Sequence, residues 1–272
     1  MCLSEREMLK MNSGTLADSV YTYLTTKQSD VDSKATYTDQ VARGKELWKS
    51  KNSSQFKKIR SKLDSMCVGK RRCNYCEDSV ADEVEHIKPK DLYPSLSFVW
   101  SNYLFSCGNC NGPKSNLFAV FQNDKVIEIS RKQNDPVTPP ITGSDVFINP
   151  RIENPLEFLI LDLITMNFIP KPGLSPIDKK RAKYTIKILK LNSRDFLVEA
   201  RKEAFNTYRD SLQVYVTEKE SGKNEIDLLK RQKEIESRQH PTVWAEMRRQ
   251  RNRHEEIKNL LQLAPELLTN AG

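Results

Sequence analysis

The chain of 272 residues contains no long hydrophobic run. No stretch of about 20 apolar residues is present, and the first residues lack the pattern of a secretory signal. Glycine is also scarce, with nine in the chain, and none of them belongs to a loop of the kind that holds the phosphates of ATP. These absences argue against a membrane protein and against an ATP-binding protein, and we expect a soluble, cytoplasmic one.

Positive charge is in excess and unevenly distributed. The net charge is +8, and the residues from Lys171 onward, with 22 Lys/Arg against 15 Asp/Glu, account for most of it. A second basic run covers residues 57–72, where Asp64 is the only acidic residue. This distribution favours a polyanionic partner such as nucleic acid. The alternative is that these residues lie on the solvated faces of packed helices.

Four of the six cysteines form two Cys-x-x-Cys pairs. In a reducing compartment such cysteines remain thiolates, and four of them complete a tetrahedral shell around zinc at about 2.3 Å. A closed shell leaves no position for chemistry, so the predicted zinc is structural. The alternative is four unligated core thiols, and Cys67 is either a free core thiol or an alternative ligand, while Cys2 is unassigned. The predicted zinc ligands are Cys73, Cys76, Cys107 and Cys110.

The 30 residues between the two pairs exceed the roughly 15 to 20 of an ordinary zinc ribbon. They contain an acid-histidine dipeptide, Glu85-His86, followed by Asn102, and Asn111 directly follows the second pair. In this order the residues resemble the HNH nuclease family, whose ββα-metal core has the order acid-His, then Asn, then His or Asn. Zinc-binding cysteines flank that core in many members.

The sequence around these residues resembles one subgroup, the effector nucleases of Septu-type and retron-associated antiphage systems. The resemblance implies a metal-dependent endonuclease, with DNA as the expected substrate, and a separately encoded ATPase partner. The stretches that carry it are Cys73-Asn-Tyr-Cys-Glu77, Glu85-His-Ile-Lys-Pro-Lys90, Trp100-Ser-Asn102 and Cys107-Gly-Asn-Cys-Asn111.

Hydrolysis of a phosphodiester requires a base, a Lewis acid and positive charge near the phosphate. His86 is the predicted base, because an imidazole with its ordinary pKa of about 6.5 is largely neutral at cellular pH. The resemblance implies that Glu85 and Asn111 hold one divalent ion, Mg²⁺ or Mn²⁺, through oxygen atoms. It also implies that Asn102 fixes the orientation of His86.

Lys114 is predicted to bring an ammonium near the scissile phosphate, from a helix that Asn111 opens. An ordinary surface lysine is the alternative. The chain has Glu85 where many family members have Asp, and Asn111 where many have His. Glu83 and Glu77 are therefore further candidates for sharing the metal, and strand alternation places Glu83 on the same face as Glu85.

The expected fold class is α+β and mostly helical, with a zinc-stabilised ββα-metal core between helical N- and C-terminal extensions. Phe56, Ile59, Leu63 and Met66 follow helical spacing before the first cysteine pair. One helix is expected before about residue 40, and a β-hairpin over residues 158–169 with its turn at Met166-Asn167. The predicted segments are 1–66 (helical), 67–125 (nuclease core with the four-cysteine zinc site), 126–176 (linker and hairpin) and 177–272 (basic and helical).

Three functions fit these patterns. The first is an HNH endonuclease of an antiphage system with its ATPase partner. The second is the same chemistry in restriction, homing or RNA cleavage, and the third is a non-catalytic zinc module that binds nucleic acid. An arginine cluster near the end of the chain fits a solvated face, nucleic-acid contact or partner docking, and consists of Arg248, Arg249, Arg251 and Arg253.

Overall fold

The N-terminal part of the computed structural model, which describes residues 14–50 and 53–268, is helical. Helix α1 is Asp18–Asp32, α2 is Tyr37–Lys49 and α3 is Ser54–Ser65. The single helix expected before residue 40 is thus α1 plus the start of α2, because the Thr36 hydroxyl accepts a hydrogen bond from the backbone N–H of Asp39 and begins a new helix. Expectations for the first 13 residues, including Cys2, lie outside the described residues.

Helix α3 buries the apolar face that its spacing predicts. Phe56, Ile59 and Leu63 are buried along this face, with Met66 just after the helix end. The hydroxyl of Ser53 accepts the backbone N–H of Phe56 and caps the N-terminus. The helix therefore delivers the chain to the first cysteine pair with one face fixed against the core, which confirms this prediction.

Two short strands and a helix form the centre of the molecule. Strand β1 (Glu83–His86) pairs antiparallel with β2 (Tyr103–Ser106), so that His86 lies opposite Tyr103. Helix α4 is Gly108–Lys114. It begins three residues before the predicted Asn111, because the Cys107 carbonyl already accepts the backbone N–H groups of Cys110 and Asn111 at 3.0 and 2.9 Å. The β-β-α order of the predicted core is confirmed.

Two further small sheets follow. Strands β3 (Phe118–Gln122), β4 (Lys125–Ile129) and β5 (Ser144–Asp145) form one, and β6 (Leu159–Asp162) with β7 (Asn167–Pro170) forms the predicted hairpin. The hairpin turn lies at residues 163–166, slightly before the predicted position. The Asp162 carboxylate accepts the N–H groups of Ile164 and Thr165 and so starts the turn early.

The C-terminal part is helical, as predicted. Tyr208, Leu212 and Tyr215 form a buried stripe, and Tyr208 stacks on Trp244 with ring centroids 5.5 Å apart. Buried side chains from all four predicted segments form one continuous core, while the exact segment boundaries stay predictions. The helices are α5 (Pro176–Ile188), α6 (Asp195–Glu220), α7 (Glu225–Glu236), α8 (Pro241–Arg249) and α9 (Glu255–Leu263).

The α+β, mostly helical fold class is confirmed by this arrangement. Helices in the described ranges are all too short or too polar to pass through a bilayer.

Helix α1 is tied to the loop that follows β1 by one buried glutamine. The side-chain oxygen of Gln28 accepts the backbone N–H of Phe98 at 2.8 Å, and its amide nitrogen donates to the Pro94 carbonyl at 3.1 Å. Both backbone groups lie in the loop that contacts His86. The N-terminal helix therefore helps to fix the geometry of the candidate site.

We expect Gln28→Ala to lower the free energy of unfolding by about 1–3 kcal/mol, because the buried N–H of Phe98 would lose its acceptor. Urea denaturation measures the effect. Gln213→Ala, at an exposed position on α6, is the matched control and should change stability by less than about 0.5 kcal/mol. Equal effects of the two substitutions would contradict the role given to Gln28.

Candidate active site and metal centre

The two cysteine pairs meet in one buried cluster. The sulfur atoms of Cys73, Cys76, Cys107 and Cys110 all lie within 4.8 Å of one another. The sulfurs of Cys76 and Cys107 are 3.8 Å apart, far beyond the length of a disulfide, which is about 2.05 Å. Ligands at about 2.3 Å from a tetrahedral zinc are separated by about 3.8 Å. The donor set and spacing therefore fit a structural zinc.

The surroundings of the cluster support thiolate ligands. The Arg194 guanidinium lies 3.4 Å from the Cys110 sulfur, and the backbone N–H of Tyr75 points at the Cys73 sulfur, also at 3.4 Å. Donors directed at sulfur stabilise the negative charge that four thiolates around one dication leave over. Protein ligands fill all four coordination positions, so the site is suited to a structural role and not to catalysis.

Cys67 lies outside this cluster. Its thiol is directed at the Leu63 carbonyl, 3.4 Å away, and the Asn74 amide approaches its sulfur at 3.5 Å. Burial raises the pKa of Cys67 to about 12, so it stays a protonated thiol. The free-thiol interpretation of Cys67 therefore fits the structure, and the alternative-ligand interpretation does not.

Glu77 turns away from β1 and binds helix α8. Its carboxylate accepts the backbone N–H of Thr242 at 3.1 Å and the Thr242 hydroxyl at 2.9 Å. The carboxyl is buried, and desolvation raises its pKa to about 7. Beside it, the His240 ring lies 3.3 Å from an Asp78 oxygen. Glu77 thus joins the first cysteine pair to the C-terminal helices and is not placed to share a metal with β1.

A cleft of about 410 Å³ opens beside β1 and α4. It brings together three of the predicted site residues, Glu85, His86 and Asn111, with Glu83. Trp48 of α2 and Phe56 of α3 form an apolar wall, and the cationic side chains along the cleft are those of Arg60 and Lys90. Asn102 and Lys114 are not among the lining residues.

The His86 ring is held in one orientation and one tautomer. Its Nε2 lies 2.9 Å from the Ser97 carbonyl oxygen, which can only accept, so Nε2 carries the proton and Nδ1 keeps a lone pair. The Trp48 ring packs edge-on against the imidazole with centroids 4.4 Å apart. Burial lowers the pKa of His86 to about 3. The imidazole is therefore neutral at cellular pH.

The Ser97 carbonyl is itself fixed by its neighbours. The Tyr103 hydroxyl donates to it at 2.6 Å, which satisfies its second lone pair. Asn102 shapes the same loop: its side chain accepts the N–H of Lys88 at 2.8 Å and donates to the carbonyls of Lys88 and Leu96, both at 3.0 Å. Asn102 therefore holds the loop that contacts His86. The orienting role implied for Asn102 stays a prediction, with this indirect route.

Lys114 is completely buried beneath β1. Its ammonium lies 2.5 Å from a Glu85 carboxylate oxygen and donates to the His86 carbonyl at 2.9 Å. Desolvation raises the pKa of Glu85, whereas the ammonium of Lys114 acts in the opposite direction. The surface-lysine alternative is thus wrong. The predicted contact with a phosphate stays a prediction, since the ammonium here contacts Glu85 and the backbone of His86.

Asn111 contacts a different carboxylate. Its amide nitrogen donates to a Glu83 oxygen at 2.6 Å. Glu83 and Asn111 are both partly exposed, and both line the cleft. Glu83 and Glu85 share one face of β1, as alternation predicts, but they have different partners.

The C-terminal arginines do not form one open patch. Arg248 is buried with its guanidinium 5.3 Å from the centroid of the Trp244 ring, and Arg249 pairs with Glu246. Arg251 donates to the Arg248 carbonyl, while Arg253 is exposed. Three of the four guanidiniums are therefore engaged within the fold, which leaves little continuous surface for a phosphate backbone.

The strand-strand-helix unit, with a neutral histidine at the end of its first strand, an asparagine on its helix and a cysteine cluster at its side, is the arrangement expected of an HNH-type nuclease. Two known proteins resemble the chain. The Septu protein PtuB of Bacillus thuringiensis is 45% identical over 58 residues, which are 20% of this chain and 23% of PtuB. A protein of Vibrio cholerae serotype O1 biovar El Tor, named as a predicted HNH endonuclease of retron Vc95, is 36% identical over 131 residues, which are 43% of this chain and 61% of that protein.

These similarities confirm the resemblance to HNH endonucleases and to PtuB. The chain matches less than two thirds of the length of either relative. No family model matches the chain.

We expect metal analysis of the purified protein to find about one zinc per chain, bound by the four clustered thiolates. Cys107→Ala should lose the zinc and unfold at a lower temperature, because metal binding contributes folding free energy. Cys67→Ala is the matched control and should keep both the zinc and the fold. A Cys107→Ala protein with full zinc content and unchanged melting temperature would rule out the site.

We expect His86 to make stability depend on pH. The unfolded imidazole titrates near 6.5 while the folded one stays neutral to a pKa of about 3, so stability from His86 is present above pH 6.5 and is lost as the pH falls. Between pH 6.5 and 5.5 the wild type should lose about 1 kcal/mol more than His86→Asn. Denaturant titrations at both pH values measure this, and equal losses would show that the ring is not held neutral.

Proposed function

We propose that this chain is a metal-dependent HNH endonuclease that hydrolyses phosphodiester bonds of nucleic acid, with DNA as its substrate. The observation that carries the proposal is the neutral His86 imidazole, locked by the Ser97 carbonyl in a cleft that also contains carboxylates and the Asn111 amide. A base, oxygen donors for a cation, and cationic side chains are the groups that phosphodiester hydrolysis requires.

His86 acts as the general base in this proposal. Its Nδ1 lone pair takes the proton of a water molecule that attacks the phosphorus atom. The bond from phosphorus to the leaving 3′ oxygen breaks, and that oxygen takes a proton from solvent. The hydrogen bond from Nε2 to Ser97 holds the tautomer, and it strengthens as the ring becomes charged, because a protonated ring is a stronger donor. The edge of Trp48 restricts the ring to one orientation.

Oxygen atoms beside the base provide the place for the catalytic Mg²⁺ or Mn²⁺. The predicted ligands are Glu85 and Asn111, and the hard oxygen donors of this face of the cleft suit such an ion. When bound, a divalent ion stabilises negative charge on the phosphate and on the leaving oxygen. Arg60 and Lys90 flank the cleft and attract the nucleic-acid backbone.

In this proposal Lys114 holds two groups of the site in place. Its ammonium holds the Glu85 carboxylate and the backbone carbonyl of His86 at the same time. It therefore positions the base relative to the acidic face of β1.

Antiphage defence is the proposed context. One relative is named as a Septu protein, and the other is named as an HNH endonuclease of a retron. We propose that the chain is an effector subunit that works with a separate ATPase, as the resemblance to PtuB implies. Restriction, homing or RNA cleavage would use the same site, so substrate and partner are tested separately.

We expect the wild type to cleave plasmid DNA with Mg²⁺ or Mn²⁺, alone or with a PtuA-like ATPase partner, and His86→Ala to cleave about 10²–10⁴-fold more slowly, because a positioned base contributes that much. Gel electrophoresis measures cleavage, with structured RNA as a parallel substrate.

His254→Ala is the matched control, since this ring lies against Phe205 in the C-terminal region with centroids 5.9 Å apart. It should cleave like the wild type. Undiminished cleavage by His86→Ala excludes His86 as the base. Nucleic-acid binding without cleavage in every combination would favour the non-catalytic zinc module.

A further inference from the structure

Two arginines of the basic run over residues 57–72 meet at one aromatic ring. The guanidinium carbon of Arg60 lies 5.2 Å from the centroid of the Phe105 ring, and that of Arg71 lies 5.3 Å from the same centroid. Arg60 belongs to helix α3, whereas Arg71 belongs to the segment between α3 and Cys73. Two separate parts of the basic run therefore bring like charges to one location.

Backbone carbonyl groups fix both side chains. The Nη2 atom of Arg60 donates to the Asp82 carbonyl at 2.8 Å, and the Nε atom of Arg71 donates to the Ala81 carbonyl at 2.7 Å. These two carbonyls come directly before β1. A guanidinium has five N–H donors. Within residues 14–50 and 53–268 neither guanidinium has a second hydrogen-bond acceptor, so most of the donors are available to a ligand.

One carboxylate approaches this pair of arginines. An oxygen of Asp64 lies 3.7 Å from Arg71 Nε, and the side chains of Asp64 and Arg71 are 48% and 42% exposed. Water and salt screen an exposed ion pair at this distance. The Nε atom is also the one that bonds Ala81, so the two outer nitrogens of Arg71 stay open.

Arg71 has a backbone conformation that residues with a Cβ atom adopt rarely. Its φ angle is 58°, in the left-handed region. Its carbonyl accepts the backbone N–H of Ala81 at 2.9 Å, and Ala81 is also the residue that holds its guanidinium. Glycine or asparagine would adopt this conformation at lower cost, and strain of this kind is concentrated at functional sites. An arginine at this position therefore suggests a use for its side chain.

The arginine pair lies at one end of the candidate active site. Arg60 lines the cleft, and Arg71 lies beside it, outside the lining. Strand β1 leads from Glu83 at this end to His86, which is roughly 10 Å at about 3.3 Å per residue. A phosphate bound by the arginine pair would therefore be a neighbour of the scissile phosphate on the nucleic-acid backbone, and not the scissile phosphate itself.

We propose that Arg60 and Arg71 form a clamp that binds a backbone phosphate of the nucleic acid next to the phosphate that is cut. A guanidinium can bind two phosphate oxygens at once. The Phe105 ring and the two carbonyls already restrict both side chains, so little conformational entropy is lost on binding. This inference rests on the proposed function. It adds Arg71 as a binding residue that does not touch the reacting atoms.

The test is DNA binding by the zinc-loaded full chain, carrying His86→Ala so that the DNA is not cut, at several salt concentrations. Fluorescence anisotropy of a labelled duplex gives the Kd, with and without a PtuA-like ATPase partner. Each phosphate contact contributes about 0.9 to the slope of log K against log salt. We expect Arg60→Gln and Arg71→Asn each to reduce this slope by about 1, and their combination to reduce it by about 2. Each should also raise the Kd at least about tenfold.

Charge-conserving variants and a distant arginine provide the controls. Arg60→Lys and Arg71→Lys keep the charge and lose the paired donors, so the salt slope should stay that of the His86→Ala parent while the Kd rises. Arg253→Gln, at an exposed position, removes the same charge and should change the Kd by less than about twofold. Circular dichroism and zinc content verify the fold of each variant.

Equal salt slopes for the His86→Ala parent and the variant that lacks both arginines would overturn the proposal. A parent that binds no DNA at about 50 mM salt, alone or with the partner, would overturn it as well. A slope reduced as much by Arg253→Gln as by Arg71→Asn would show a general effect of net charge and would also contradict the clamp.

Plasmid cleavage with His86 intact separates the clamp from the nuclease proposal. Arg71→Asn should require more DNA for half-maximal cleavage and keep the rate at saturating DNA within about threefold of the wild type, because Arg71 lies away from the reacting atoms. DNA binding that depends on both arginines, without cleavage in any combination, contradicts the nuclease proposal and leaves the clamp in place. Cleavage by a protein whose salt slope does not depend on these arginines does the reverse.

Discussion

The hydrogen bond between His86 Nε2 and the Ser97 carbonyl is the constraint on which the candidate site depends. It decides which ring nitrogen keeps the lone pair, and it turns that nitrogen in one direction. Three other contacts support it: Tyr103 shares the carbonyl, Asn102 shapes the loop, and Gln28 ties the loop to α1. The neutral, oriented imidazole is thus the product of several distant segments.

The cysteine cluster gives the site its second constraint. It brings together the two ends of the loop from Cys76 to Cys107, which contains β1 and β2 and leads into α4. A metal ion bound by the four sulfur atoms would hold this unit at one end. Glu77 extends this hold to α8 through Thr242. The cysteine cluster is therefore linked to the C-terminal helices as well as to the candidate nuclease unit.

The sequence predicts what depends on spacing and local pattern. Cysteine pairs at two-residue intervals predict the cluster, the stripe from Phe56 to Leu63 predicts α3, and the acid-histidine dipeptide predicts the position of the candidate base. It does not predict contacts between distant segments. Ser97, Trp48 and Gln28 reach the His86 region from other elements, and no local pattern marks them. Lys114 is buried because it pairs with the Glu85 carboxylate of β1. The residues around Lys114 in the sequence give no sign of this partner, so its burial was not predicted.

The contacts of Gln28 and Trp48 also decide how far the ββα unit can be separated from its surroundings. A fragment of residues 67–125 would contain the four cysteines, the candidate base and both acidic candidates. It would lack the Gln28 side chain, which bonds the loop, and the Trp48 indole, which packs against the His86 ring. Such a fragment would lack contacts that fix the candidate site, although it would contain every residue of the sequence motif. A unit that keeps the geometry of the candidate site therefore has to begin at α1. Transferring only the motif to another scaffold would move the candidate ligands without the contacts that orient the candidate base.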